Sequence, residues 1–344
     1  MTEYSVDEEM ADFFRQTTAT RAECDEHALA LVGGPAVMPV AVQGVCSYTI
    51  FAGPDLGFVV QFRLKSLELP VQTAKLARTI YGHFAPVVSV HGQLGADADG
   101  EREPLLVYVM NRVKGISHLG ILLAHGHPEN TPENFARRKT LMADVARFFA
   151  LSWKSPQPVD QVWRDSAHSE CRRELELLLG ALPERFHASI QQTIEALPAI
   201  MSLPIVLLHQ DFGSSNIIVD EPDCHLVGVV DWAKPALGTF GTTLHSLLPL
   251  SGEVMLKIGL VHFEDHASLQ ETFWNVLSTE IGDLGAEEIR AIKAARTLGL
   301  LRSRGFTSRL KNMLELVPIG GDAAGLYNML YLDGLLLNPA TKFN

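Results

Sequence analysis

Between Leu203 and Trp232 the chain reads Leu203-Pro-Ile-Val-Leu-Leu-His209-Gln-Asp211-Phe-Gly-Ser-Ser-Asn216-Ile-Ile-Val219 and then Leu226-Val-Gly-Val-Val-Asp231-Trp232. An apolar run delivers His209 and Asp211 into a polar loop. Asn216 opens the next apolar run, and a further one stops at Asp231. A carboxylate, an amide oxygen and a second carboxylate thus emerge near one another. Phosphoryl transfer from ATP needs such a set. One carboxylate must position the attacking hydroxyl and accept its proton, while an amide and another carboxylate hold Mg2+, a cation that prefers hard oxygen ligands and keeps several waters. Each residue alone also suits a plainer role, since Asp and Asn satisfy turn hydrogen bonds and Asp231 could cap a turn. Order and spacing together favour the chemical reading.

The elements that must position this loop can be read from patterning. Val42–Phe51 and Phe58–Arg63 are rich in β-branched and aromatic residues and flank the turn-forming Ala52–Gly57, as in an antiparallel hairpin. Val71–Tyr81 after Pro70 reads as a helix ending near Gly82. Pro86–Gly92 and Leu105–Met110 are β-prone runs joined by the polar stretch Asp97–Glu103. After Gly115 helical periodicity takes over, opened by the Thr131-Pro132 cap signature. Helical patterns recur near 169–182, 183–197, 267–281 and 286–302. One β-like island interrupts them at 204–208, 216–219 and 226–231. The map is a small β-rich N-terminal part with a helical extension, over 1–110, and a larger helical part over 111–344.

The spacing His-x-Asp, then Asn five residues on, then an apolar strand ending in Asp resembles the catalytic loop and metal-binding turn of eukaryotic-type kinases. Asp231 precedes Trp232 instead of Phe-Gly, which resembles the aminoglycoside phosphotransferase/choline kinase-like family, in its fungal form, more than protein kinases. The resemblance extends loosely from about Val42 to the last helices and is specific from Leu203 to Trp232. It implies an α+β, bilobal protein-kinase-like fold with a small β-rich N-lobe and a larger helical C-lobe. It also implies Asp211 as catalytic base, Asn216 and Asp231 as Mg2+ ligands, and His209 as a brace for the loop. ATP and Mg2+ are the implied cofactors, and a small-molecule hydroxyl is the implied acceptor.

The nucleotide side departs from the pattern. Arg63 ends the Val59-Val-Gln-Phe-Arg63 run where kinases carry the lysine of Val-Ala-Ile-Lys, and the swap is not neutral in reach. Lys65 shares its face if the strand continues. No Glu or Asp lies between Leu69 and Gly95, so Glu68 is the one local carboxylate for the cation, with a plain surface charge as its rival reading. Gly44-Val-Cys-Ser47-Tyr sits where a phosphate-covering turn belongs. The stretch around Met110 resembles the family's adenine-contacting hinge, though an edge strand would use the same residues. No G-x-x-x-x-G-K-[ST] exists.

Composition narrows the rest. Of 344 residues, 40 are acidic and 28 basic, a net charge of −12 that disfavours a nucleic-acid partner. Hydrophobic content of 47% supports a sizeable core, and no apolar run reaches membrane-spanning length. The acidic start is unlike a targeting peptide, so a cytoplasmic protein without a membrane partner is expected. Cys24, Cys46, Cys171 and Cys224 form no close pair. His125-Gly-His127 lacks a third ligand nearby and reads as loop. Glu264, Asp265, Glu271, Glu280, Asp283, Glu287 and Glu288 form an acidic neighbourhood that suits either a cationic acceptor or solvated helix faces. Ala236–Leu244 lacks the further acidic residue of bacterial aminoglycoside kinases, which argues for a divergent acceptor. Three functions follow as alternatives: a small-molecule kinase, a pseudokinase that binds nucleotide or scaffolds, and a protein kinase, the last disfavoured because no Ala-Pro-Glu follows Asp231. The residues leave the oligomeric state open.

Overall fold

The computed structural model describes residues 5–97, 102–125, 130–233, 235–282, 284–307 and 315–343. The chain is α+β, a bilobal protein-kinase-like fold, and divides into compact units Met1–Lys114 and Gly115–Asn344. His127 and Asp283 lie outside the described residues.

The N-terminal unit begins with two helices, α1 (Val6–Arg15) and α2 (Arg21–Val32). Each is capped by a hydroxyl, Ser5 accepting from Glu8 and Thr20 forming a reciprocal capping box with Glu23. Strands β1 (Met38–Pro39), β2 (Ser47–Ala52) and β3 (Phe58–Leu64) follow, then helix α3 (Val71–Tyr81) and strands β4 (Val88–Leu94) and β5 (Leu105–Asn111). All pairings are antiparallel, in the order β1-β2-β3-β5-β4. Because side chains alternate, the register separates two faces. Tyr48, Ile50, Val60, Phe62, Val107 and Val109 fall on one and join Met10, Phe13, Cys24 and Ala28 of the helices in a single core. Tyr48 donates its hydroxyl to Asp25 at 2.8 Å, tying α2 to that face. Ser47, Thr49, Gln61, Arg63, Tyr108 and Met110 fall on the other.

The first strand of the expected hairpin starts at Ser47, not Val42. Gln43 explains the difference: its side-chain amide accepts from Thr49 N and donates to Thr49 O, both at 2.9 Å. It thereby occupies the hydrogen-bonding sites a strand residue would use, and residues 42–46 are left to form a turn. The helix expected after Pro70 is present and ends on Gly82, whose φ of 59° suits a residue without Cβ.

The second unit opens with β6 (Ile116–Ser117) and α4 (His118–His125), then the long helices α5 (Pro132–Trp153), α6 (Gln161–Ala181) and α7 (His187–Ser202). Thr131 caps α5 with Pro132 in its first turn, as expected. Helix α6 starts at Gln161, earlier than the periodicity suggests, because Asp160 caps Trp163 N. Strands β7 (Ile205–His209), β8 (Ile217–Val219), β9 (Leu226–Val229) and β10 (Pro235–Thr239) form the island. Strand β10 pairs with β7, and β8 lies between β6 and β9. The hairpin β11 (Gly252–Met255) and β12 (Gly259–His262) precedes α8 (His266–Ile281), α9 (Ala286–Arg304) and α10 (Ala323–Leu332). Phe148 and Phe149 of α5 pack with Phe212, and Phe149 with Phe273 of α8, so an aromatic cluster joins the helical core to the polar loop.

Candidate active site

The loop after β7 is held by its backbone and its aromatic anchor. Every residue of β7 is buried, which brings His209 into the core. Its Nε2–H donates to Val230 O at 2.9 Å, and since a carbonyl only accepts, the proton on this ring is placed at Nε2. Burial pushes the His209 pKa down, so the ring is neutral near pH 7. Its edge meets Trp232 with ring centres 4.7 Å apart, and Trp232 in turn donates its indole N–H to Val229 O at 2.9 Å. His209 thus connects β7 to the end of β9 without facing solvent. Phe212, buried against Phe148 and Phe149, fixes the other side of the loop.

Asn216 is the most constrained of the three oxygen-bearing residues. Its backbone N donates to Gly213 O at 2.9 Å, its backbone O accepts from Val230 N at 2.9 Å, and its side-chain Nδ2 donates to Asp211 O at 2.8 Å. The Oδ1 is left without a partner among the described residues. Ile217 pairs with Val229, so Asn216 lies across from Val230 and Asp231 is one residue farther on. Strand spacings then put the Asn216 and Asp231 Cα atoms within roughly 7 Å. Asp211 and Asp231 are both exposed, and neither forms an ion pair among the described residues. Asp231 has a φ of 61°, a left-handed conformation that costs a non-glycine residue on the order of 1 kcal/mol or more and tends to mark functional positions.

This donor set fits Mg2+. It offers one amide and one carboxylate oxygen with nearby solvent access, matching a cation that binds few protein ligands and completes its shell with water and phosphate. Among the described residues no group of three His, Cys, Asp or Glu is placed to hold a metal ion.

In the N-terminal unit, Arg63 and Ser47 face each other directly across β3 and β2. Arg63 is buried, its Nε donating to Leu67 O at 2.9 Å, and its Nη1 lies 3.5 Å from Gln61 Oε1. Gln61 Nε2 donates to Ser47 Oγ and Thr49 Oγ1 at 3.2 Å each. Sequence reasoning missed Gln61, although its place two residues before Arg63 puts both on one face. Lys65 does not share that face, because the strand ends at Leu64 and a short 3-10 turn follows. Its ammonium pairs instead with Asp97 at 2.7 Å in an exposed bridge. Glu68 is exposed and makes no ion pair among the described residues, and α3 contains no carboxylate. Met110, half-buried on β5, pairs with Val59 and Val88.

Most of the acidic neighbourhood is already engaged. Asp265 meets the buried Arg138 at 2.9 Å, Glu280 binds Lys154 at 2.9 Å, Glu287 pairs with Arg290, and Glu288 caps Gly285 N at 2.8 Å.

Fold and loop together define a protein-kinase-like phosphotransferase scaffold. The phosphotransferase enzyme family (APH) matches residues 52–242, more than half of the chain. The protein belongs to that family. The aminoglycoside 2'-phosphotransferase-IIIa solved as a GDP complex is similar in fold, with 14% identity, coverage of 80% of this chain and 88% of that one, and a TM-score of 0.50. The ADP-bound aminoglycoside phosphotransferase APH(2'')-Ib has 16% identity, coverage of 83% and 88%, and a TM-score of 0.45. For macrolide 2'-phosphotransferase type I the values are 10%, 83% and 91%, and 0.46. No curated protein sequence matches the chain. Among the described residues, no helix is long and apolar enough to cross a membrane.

Proposed function

We propose that this chain transfers the γ-phosphoryl group of ATP, with Mg2+, to a hydroxyl of a small molecule. The observation that carries the reading is the pairing of β8 with β9, which brings Asp231 beside Asn216, next to a loop whose other end presents Asp211. Asp211 orients the acceptor hydroxyl and takes its proton as the oxygen attacks phosphorus. Asn216 Oδ1 and the Asp231 carboxylate hold Mg2+, which neutralises charge on the transferring group when bound. His209 touches no substrate; it fixes the Val230 carbonyl and so the approach to Asp231. Arg63 is the phosphate-gripping cation of this reading, with Ser47, Glu68 and Met110 as the further nucleotide-side residues, while Lys65, turned off that face into its bridge with Asp97, falls outside it. The nucleotide in the similar GDP complex supports such a site. With Asp265, Glu280, Glu287 and Glu288 engaged in pairs and a cap, this surface gives little support to a polycationic acceptor.

A pseudokinase is the second reading, favoured by a specific observation: the Arg63 guanidinium donates to its own loop, and α3 offers it no carboxylate. The test is ATP and GTP consumption with Mg2+ across a panel of hydroxyl metabolites, for the intact chain and for Asp211→Ala and Asp231→Ala. Turnover confined to the intact chain is expected. Mg2+-dependent thermal stabilisation by ATP with no turnover on any acceptor would establish the pseudokinase instead.

A further inference from the structure

The C-terminal unit contains a cavity of about 190 Å3 that none of Asp211, Asn216 and Asp231 lines. Its walls come from the 3-10 turn Leu244–Leu250, the end of β12, α8, α9 and the last residues through Phe343. Leu244, Leu248, Phe273 and Leu335 supply apolar surface. The charged lining is lopsided. Lys293, Arg296 and Lys342 stand with His245, His262 and His266 against one carboxylate, Glu271, among the described lining residues.

Two of the cations are set by aromatic rings. The Arg296 guanidinium lies 3.8 Å above the Phe343 ring, and Lys293 Nζ lies 5.7 Å from the Trp274 ring centre. Arg296 is buried, and burial lowers its pKa to about 10, so it still enters the cavity charged at neutral pH. His262 and His266 stack face to face, 3.4 Å between centres and 10° between planes. That arrangement suits uncharged rings, because two imidazolium ions at this distance would repel. His266 Nδ1–H donates to Ser251 O at 3.3 Å, and its place in the first turn of α8 further disfavours a proton there. Burial pushes the His262 pKa down to about 4. His245 likewise donates Nδ1–H to Thr242 O at 2.9 Å.

We propose that this cavity binds a small organic anion, a carboxylate or phosphate ester on an apolar body, with Lys293 taking the anionic group and Arg296 adding positive charge to the wall. A cationic site in desolvated surroundings attracts an anion more strongly than the same charges in water. The apolar walls take the body of the ligand, as in small-molecule sites generally. The stacked imidazoles add a second consequence. A bound anion favours their protonated forms, so binding takes up protons and tightens as pH falls below about 6, toward the depressed His262 value. The other charged and titratable groups around the pair are His245, Glu253, Asp265, Glu271, Lys293, Arg296 and Lys342. This site is independent of the phosphotransfer reading.

Titration calorimetry on the full chain with phenylacetate and phenyl phosphate, against neutral phenylacetamide, tests it. Expected are binding of both anions, at least 10-fold weaker binding of phenylacetamide, and a similar loss in Lys293→Gln. Phenylacetate binding should strengthen from pH 6.5 to pH 5, with proton uptake read from two buffers of different ionisation enthalpy and abolished in His262→Gln. Asp211→Asn must bind as tightly as the intact chain, which separates this site from the transfer reaction. Equal affinity for phenylacetamide overturns the proposal. So does unchanged binding in a folded Lys293→Gln, or no heat and no thermal shift with either anion at several millimolar.

Discussion

The polar loop of the C-terminal unit and the polar sheet face of the N-terminal unit present the same kinds of group in opposite states. In the loop, backbone carbonyls of Val230 and Asp211 absorb the nitrogen donors of His209 and Asn216. That leaves the oxygens of Asn216, Asp211 and Asp231 available. On the sheet, a backbone carbonyl does the reverse: Leu67 O takes the Nε–H of Arg63, the cation that would otherwise face an anion. If Asn216 and Asp231 hold Mg2+, the loop is organised for that cation in advance, whereas the sheet cation has already committed its Nε–H to Leu67 O. Preorganised charges cost no reorganisation at the moment of reaction. The expected asymmetry is that substitutions in the loop alter turnover and substitutions on the sheet alter nucleotide affinity.

The largest effect tests the loop. Asp211→Asn should lower kcat by about 10^2 to 10^4-fold, the usual worth of a positioned acid or base, with little change in Tm. Asp231→Gly should also abolish turnover while raising Tm. Its φ of 61° is unstrained for glycine, and about 1 kcal/mol of relief corresponds to roughly 2–4 °C in a unit of this size. Loss of activity with a gain in stability is the signature of a side chain retained for chemistry. Turnover that survives Asp231→Gly would show that the left-handed aspartate has no part in it.

A smaller effect is expected on the sheet. If Arg63 grips phosphate, Arg63→Gln raises KM for ATP by about 10-fold or more, the scale of one charged hydrogen bond, with kcat less affected. Lys65→Ala should change it less than about twofold, because Lys65 lies past the end of β3 and its ammonium is held in an exposed bridge to Asp97. The reverse ranking would move the phosphate contact to Lys65 and remove the contrast between loop and sheet.

How much of this was legible in the sequence depended on where the deciding partner lies. Helix α3 was readable because Pro70 and Gly82, its boundaries, are local. Strands β7, β8 and β9 were readable because each is a short apolar run closed by polar residues. Strand β10 was not: Pro235-Ala-Leu-Gly-Thr239 has little β character, and it extends because it pairs with β7 some thirty residues earlier. The turn at 42–46 deceived for a related reason, since Val42 and Val45 favour strands while the Gln43 amide contact with Thr49 decides otherwise. Within the site, residue types and order gave the oxygen donors, but the state of Arg63 hangs on Leu67 O in a 3-10 turn whose existence depends on β3 stopping at Leu64. A motif records what a loop can donate; it does not record which carbonyl has already accepted.

The smallest effect extends the contrast from the sites to the units that carry them. His209, His245, His262 and His266 all have depressed pKa values, chiefly from burial, and all lie beyond residue 200. For His245 and His262 the folded value is pushed down to about 4, from 6.5. A group that resists protonation only when folded leaves stability unaffected above about pH 7. As pH falls through 6.5 toward 4, the unfolded chain binds protons that the folded one refuses, and stability is lost. In the N-terminal unit the carboxylates with shifted values, Glu23 and Asp97, are lowered, by hydrogen bonds with Thr20 and with Lys65 respectively. Their stabilising contribution therefore persists down to about pH 4 and fades only below it. Acidification from pH 7.5 to 5 should accordingly lower the Tm by a few degrees and speed hydrogen exchange in α8, α9 and β7 before it does so in β2, β3 and β5. His245→Gln should flatten the pH dependence of the first group alone. Uniform loss of protection across both units would show that buried imidazoles do not set the acid sensitivity of the fold.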